Sequence, residues 1–326
     1  MKISSHKKIQ IGKWLSIIIP LLLGSFLVFY SYNSFSNKQL SILVKHFENA
    51  NYYYILITLL VAFLGGASRA YRWKYSLEHM GYKTSFANNF MAVSIGYLMN
   101  MTIPRSGEIS RALLLKKYNN VPFDKAFGSI VAERIVDLCC LLFFIVLAFL
   151  LQFDIVKAFI IDKIPFGKLI FIAAFGLVSL LVVILLFIYS KWKIIASLKL
   201  KIAGLKEGLM SLVYMKKKWL YLFHTIFIWL SFILTFYIGT FVIPETSGIS
   251  FGAVVTSFVV GSISIAFTNS GFGSYPFLIM KILVFYHVSE TAGSAFGWII
   301  WTSQMLLVLV LGALSFLLLP FFNRKK

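Results

Sequence analysis

Six ionisable residues fall in two short stretches of an otherwise apolar chain. In "NMTIPRSGEISRALLL" (100–115), Arg105, Glu108 and Arg111 follow one another at intervals of three. In "VAERIVDLCCLLFFIVLAFLL" (131–151), Glu133 and Asp137 stand four apart, and Arg134 lies three before Asp137. Residues at such separations share one face of a helix. Three arginines and three carboxylates sum to zero. A single charge at the centre of a bilayer costs about 2.5–3.5 kcal/mol on insertion scales, and mutual pairing lowers that. Two readings follow. In one, the charges only pin a broken segment to a neighbouring helix, with Glu108 near a helix start and Arg111 reaching to the interface. In the other, the arginines bind a phosphate, bidentately where geometry allows, while the carboxylates hold the arginines or a cationic headgroup. The second is favoured. Ionisable groups inside a membrane domain usually mark a substrate path, whereas buried ion pairs stabilise little relative to apolar packing.

A polar counterpart lies in "FTNSGFGSYP" (267–276), where Asn269 and Ser274 are further candidate binding residues beside Ser270 and Tyr275. Its glycines permit close backbone approach. The same stretch also reads as a capped helix break. Its G-x-G follows no strand, so it carries no nucleotide signal.

The elements that position these groups are set by composition. Hydrophobic residues make up 60% of the 326 and charged residues 13%, against roughly 25% charged in soluble chains. Several runs exceed the ~18 apolar residues that suggest a span. The fold class is therefore all-α, a polytopic helical membrane protein; a β-barrel would alternate in short segments. The net charge of +20 reads as basic flanks facing anionic lipid, not as a nucleic-acid surface, because no nucleic-acid motif accompanies it. Cys139 and Cys140 are adjacent within a span and the five histidines are scattered. No disulfide framework, metal site, cofactor or nucleophilic triad is expected. The N-terminal apolar run is too long for a signal peptide and lacks a cleavage pattern, so it reads as a retained span.

Full spans are expected near 14–30, 52–68, 132–151, 168–189, 219–242 and 292–319. Lysines and arginines cluster before the first span, after the second in "RAYRWK" and between the fourth and fifth. They recur at the end in "RKK". Both termini are thus expected in the cytoplasm. Segment 86–115 has basic flanks on both sides, which calls for a re-entrant element entering from within. Segment 251–286 needs the mirror arrangement from outside. Broken segments at matching places in halves of opposite orientation point to an inverted repeat around a binding site. The local match places Gly107 over Gly273. The chain is read as a single membrane domain. Residues 1–50 hold the first span and an outer loop, 51–151 the first half, and 219–326 the second half. Residues 152–218 connect the halves, with a basic interfacial helix over 191–218.

At "RAYRWKYSLEHMGY" (69–82), "GYLMNMTIPRSGEISRALLL" (96–115) and "AFGSIVAERIVDL" (126–138) the chain resembles the transmembrane domain of lysylphosphatidylglycerol synthases and related flippase-like (UPF0104-like) proteins. The likeness runs from about residue 50 onward. The second half departs from it: where the family often has Gly-x-Arg-Glu, this chain has Gly273, Ser274 and Tyr275. The resemblance implies movement of a lipid or lipid-linked headgroup between leaflets, without catalysis. The chain stops soon after its last span, so the soluble synthase activity is expected to be absent. Expected partners are membrane lipids, anionic at the cytoplasmic face, with room for a homo-oligomer and for separate envelope-lipid or glycan enzymes. The rival readings are an accessory protein of such a pathway and an intramembrane enzyme acting on polyprenyl phosphate. The expected location is the inner cell membrane.

Overall fold

The computed structural model describes residues 5–153, 185 and 214–324, with side chains from residue 18 onward. Among these residues there are ten α-helices, two 3₁₀ turns and no strand. The helices are α1 (Ser5–Ser34), α2 (Asn37–Glu48), α3 (Tyr52–His79), α4 (Phe86–Thr102) and α5 (Ser106–Asn119). Then follow α6 (Phe123–Leu151), α7 (Lys218–Gly239), α8 (Phe251–Phe267), α9 (Ser274–Phe285) and α10 (Glu290–Phe322). The expected span 168–189 and most of the expected interfacial helix 191–218 lie outside the described residues.

Four of the described helices are long and apolar enough to cross a membrane: α3, α6, α7 with its following turn, and α10. A fifth span results if Ile18–Ser34 and Asn37–Glu48, bent by 113°, count as one. Residues 31–50, expected as an outer loop, include helix α2. Its start is a capping box: the Gln39 amide donates to Ser36 Oγ, and the Ser36 amide donates back to Gln39 Oε1.

The chain forms two compact units, Met1–Ile130 with Lys216–Lys326, and Val131–Met215. In the first, α3 and α7 pack side by side. Gly65 makes this approach close: a Cβ there would sit 3.1 Å from Ser231 Cβ. Small residues at such crossings let helix backbones approach, which drives packing where lipid is as apolar as the interface.

Each expected re-entrant segment is a helical hairpin. Ser85 caps α4 by accepting from the Asn88 amide, and Ser250 caps α8 by accepting from the Ala253 amide. Eleven residues after each serine stands a glycine, Gly96 or Gly261, where the returning helix crosses. A Cβ on Gly96 would meet Arg111 Cγ at 2.8 Å, and one on Gly261 would meet the Tyr275 ring at 2.6 Å. Helix α10 passes both hairpins. Its Gly312 lies on Leu98 of α4, and its Gly297 lies on the backbone of Pro276 in α9.

Candidate functional site

The two hairpin tips meet. The first turns at Ile103–Arg105, with Arg105 left-handed at φ 62°. The Asn100 side chain closes it by accepting from the Gly107 amide at 2.8 Å. The second takes residues 268–273, with Ser270, Gly271 and Gly273 all at positive φ. Asn269 Nδ2 donates to the Met101 carbonyl at 2.8 Å, and Ser270 Oγ donates to the Asn100 carbonyl at 3.4 Å. From the far side, Trp301 Nε1 donates to the Ser270 carbonyl at 2.8 Å. Carbonyls freed where helices break are thus satisfied by protein, as backbone at membrane depth requires.

The expected residues of the second tip fall within this scaffold. Ser274 Oγ is shared with Ser264 Oγ and Thr268 Oγ1, each at 2.8 Å, and is buried. Asn269 joins the two tips. Both side chains therefore have structural partners.

The first hairpin carries charge. Arg105 is exposed at the tip, Glu108 lies in the first turn of α5, and Arg111 is 3% exposed. The Arg111 stem lies across Gly96, and its guanidinium stacks on Trp73 with Cζ 4.1 Å from the ring centroid. Trp73 is fully buried and donates from Nε1 to Ser129 Oγ at 2.8 Å, so the ring is held in place. A desolvated stack of this kind contributes about 2 kcal/mol.

Two further arginines join the interior. The apolar run that predicts the second span ends near residue 68, with "RAYRWK" expected as a solvated flank. Instead α3 continues to His79 and draws Arg69 and Arg72 inside, 3% and 0% exposed. Arg72 donates to Thr225 Oγ1 at 3.4 Å and sits 5.5 Å from the Tyr221 ring centroid. Arg69 lies 5.9 Å from that of Phe232. None of the arginines 69, 72 and 111, nor Glu108, is without a partner. Full burial excludes snorkelling to the interface for Arg72. The spacing of Arg69, Arg72, Trp73 and Ser76 along one helical face was the available clue.

Beyond Arg72, Ser68 Oγ and His224 Nδ1 share a hydrogen bond of 2.7 Å, and Tyr71 stacks on the His224 ring. Outside the span, Lys217 donates to Glu78 Oε2 at 2.7 Å. That bond and the carboxylate charge hold its ammonium above the ordinary lysine range. A raised lysine pKa means the link is intact at neutral pH and opens only in strongly alkaline solution.

The second charged set lies on α6 within the other compact unit. Glu133 is fully buried and Asp137 nearly so. Arg134 is half-exposed and reaches Asp137 Oδ2 at 3.7 Å, the three-residue pairing its spacing predicts. Among the described residues no group of three His, Cys, Asp or Glu side chains is placed to hold a metal ion.

An all-helical chain with several apolar spans, broken helical segments and buried ionisable groups is a multi-pass membrane protein. The family model of the lysylphosphatidylglycerol synthase TM region matches residues 17–312, and the chain belongs to that family. It is similar to a UPF0104 membrane protein of Methanocaldococcus jannaschii, 31% identical over 105 residues, which is 31% of each chain. A UPF0104 membrane protein of Pyrococcus horikoshii is 29% identical over 111 residues, 33% of each chain. The matched region thus spans about a third of these relatives' length. No solved structure matches the chain.

Proposed function

We propose that this protein moves a phospholipid or lipid-linked headgroup between the leaflets of the inner cell membrane, without catalytic chemistry of its own. The observation that carries the reading is the buried Arg111 guanidinium stacked on Trp73 beside a helix break. Arginine suits phosphate because its planar fork donates two parallel bonds and is weakly hydrated. The contact with Trp73 involves the face of the guanidinium, whereas phosphate binding uses its edge. The hairpin break supplies the irregular backbone that transporter sites use near the membrane midplane.

In this reading Arg111 is the main phosphate contact, Arg105 attracts the headgroup at the exposed tip, and Glu108 keeps the arginines oriented. Glu133, Arg134 and Asp137 enter the proposal by their chemistry alone, as an acid–base set suited to a charged headgroup. Asn269 and Ser274 serve it by holding the tips. Both termini face the cytoplasm, where basic flanks meet anionic lipid.

Reconstitution into liposomes with fluorescent lipids of anionic, zwitterionic and cationic headgroups tests the reading. An impermeant quencher added outside should reach more than the outer-leaflet half of at least one lipid. Quenching equal to that of protein-free liposomes for the whole panel overturns it.

A further inference from the structure

An apolar groove runs along the outside of the first unit between α3, α4 and α10. It encloses about 540 Å³, within the size range of small-molecule sites. Phe63 forms one wall, Phe86, Ala87 and Phe90 another, and Leu318 with Phe321 the third. Rings line it in series: Phe63 meets Phe90 at 5.5 Å, Phe90 meets Phe86 at 5.9 Å, and Phe86 stacks on Tyr71 at 4.3 Å.

Two features distinguish the groove from ordinary lipid-facing surface. Its width is fixed. Asn88 and Asn323 exchange side-chain hydrogen bonds of 3.0 and 2.9 Å, and Asn88 also donates to Asn119 at 3.0 Å. Leu319 packs on Met91 and Ile95 beneath. The end of α10 is therefore clamped to α4. A cation also stands beside the lining residue Phe321. Arg324 lies over the Phe321 ring, 4.5 Å from its centroid, and is exposed to whatever headgroup lies above.

We propose that the groove binds one acyl chain of an anionic phospholipid whose phosphate pairs with Arg324. Hydrocarbon is the fitting occupant, because an apolar slot facing lipid offers water no polar partner. The cation beside Phe321 selects the anionic headgroup. This site requires only that the chain sits in a membrane, and it stands apart from lipid movement. Its failure and the failure of the transport reading are therefore distinguishable.

The full chain is placed in nanodiscs of mixed phosphatidylglycerol and phosphatidylcholine. One lipid at a time carries a photoactivatable acyl chain, and the labelled residues are mapped by mass spectrometry. Phosphatidylglycerol should label residues 63, 86–91 and 318–322 in preference to other lipid-facing positions of α3 and α10. Arg324→Gln, an exposed change that leaves the clamp intact, should cut the preference over phosphatidylcholine by about fivefold. Ala87→Trp, which fills the slot, should abolish labelling there. Uniform labelling along α3 and α10, or a headgroup preference unchanged in Arg324→Gln, would mean ordinary surrounding lipid and overturn the proposal.

Discussion

The hairpins α4–α5 and α8–α9 share a plan and differ in content. Each starts at a serine cap, runs 17 residues to a break, and returns across a glycine. Against that glycine the first hairpin sets Arg111 and the second sets Tyr275. The first tip turns in three residues with one left-handed position, taken by a charged residue. The second takes six, with left-handed glycines at Gly271 and Gly273. Each tip therefore holds one residue with a Cβ in the left-handed region, Arg105 or Ser270, at a cost of roughly 1–2 kcal/mol, and the second adds two glycines. The lesson is a division of labour. The second hairpin spends its polar groups on geometry, giving Asn269 and Ser270 to carbonyls of the first tip. Charge at the tip is left to the first hairpin.

The largest effects should come from breaking the plan common to both. A Cβ on Gly107 would run into the Gly96 carbonyl oxygen, and one on Gly273 into the Gly24 carbonyl oxygen. Backbone cannot yield as a side chain can. Gly107→Ala and Gly273→Ala should each cost about 3 kcal/mol or more, at the upper end of overpacking penalties. Loss of folded protein in a detergent thermal-shift assay checks this. Gly66→Ala, with open space around it, is the control and should stay within about 0.5 kcal/mol of the parent. A tolerated Gly107→Ala would mean that the first hairpin does not close as described.

Asn269→Ala removes the donor that ties the tips together and leaves the Met101 carbonyl unsatisfied. About 1–3 kcal/mol of stability should be lost. Faster amide exchange should appear around residues 100–107 as well as 268–273. Exchange confined to the second tip would show that the hairpins are independent.

The smallest effect sharpens the contrast between the tips. Arg105→Gly relieves the left-handed strain, which should stabilise the tip by about 1 kcal/mol, yet it removes a cation at the exposed mouth. Melting temperature should rise slightly while movement of an anionic lipid slows. Ser270→Gly relieves the same strain but gives up the hydroxyl contact to the Asn100 carbonyl, so its melting temperature should change little, and movement should not slow, since Ser270 bears no charge. Equal rates for Arg105→Gly and the parent would reduce Arg105 to a turn residue.

Much of this architecture was legible in the residues because it follows from crude physics. Long apolar runs gave the spans 52–68, 132–151 and 292–319, each inside an observed helix, and 219–242, which α7 and the 3₁₀ turn Thr240–Val242 cover together. Glycine, proline and asparagine within 86–115 and 251–286 marked the two breaks. Boundaries were less legible. Helix α6 starts at Phe123, ahead of its apolar run, and α3 runs eleven residues past the expected end of its span. Hydropathy stops at a charge, whereas a helix continues wherever its polar groups find partners inside the fold. For that reason Arg69 and Arg72 read as a cytoplasmic flank although they lie in the core. Arg111 was marked as a site residue by its setting near the break, but its stack on Trp73 joins residues far apart in sequence and no local pattern encodes it. The role of Asn269 as a bridge between tips was hidden for the same reason.

The central claim is that charge on the first hairpin handles the lipid phosphate while the second hairpin, whose Lys281 is paired with Glu290, serves as scaffold. The most direct test compares Arg111→Gln with Tyr275→Phe, the two residues that face equivalent glycines. Initial rates of fluorescent lipid movement are measured in liposomes and normalised to folded, inserted protein. Arg111→Gln should reduce the rate at least about tenfold, the effect of losing one charge-assisted phosphate contact of about 1.4 kcal/mol or more, whereas Tyr275→Phe should leave the rate within about twofold of the parent. Parental lipid movement in folded Arg111→Gln, or equal losses in both variants, would contradict the account.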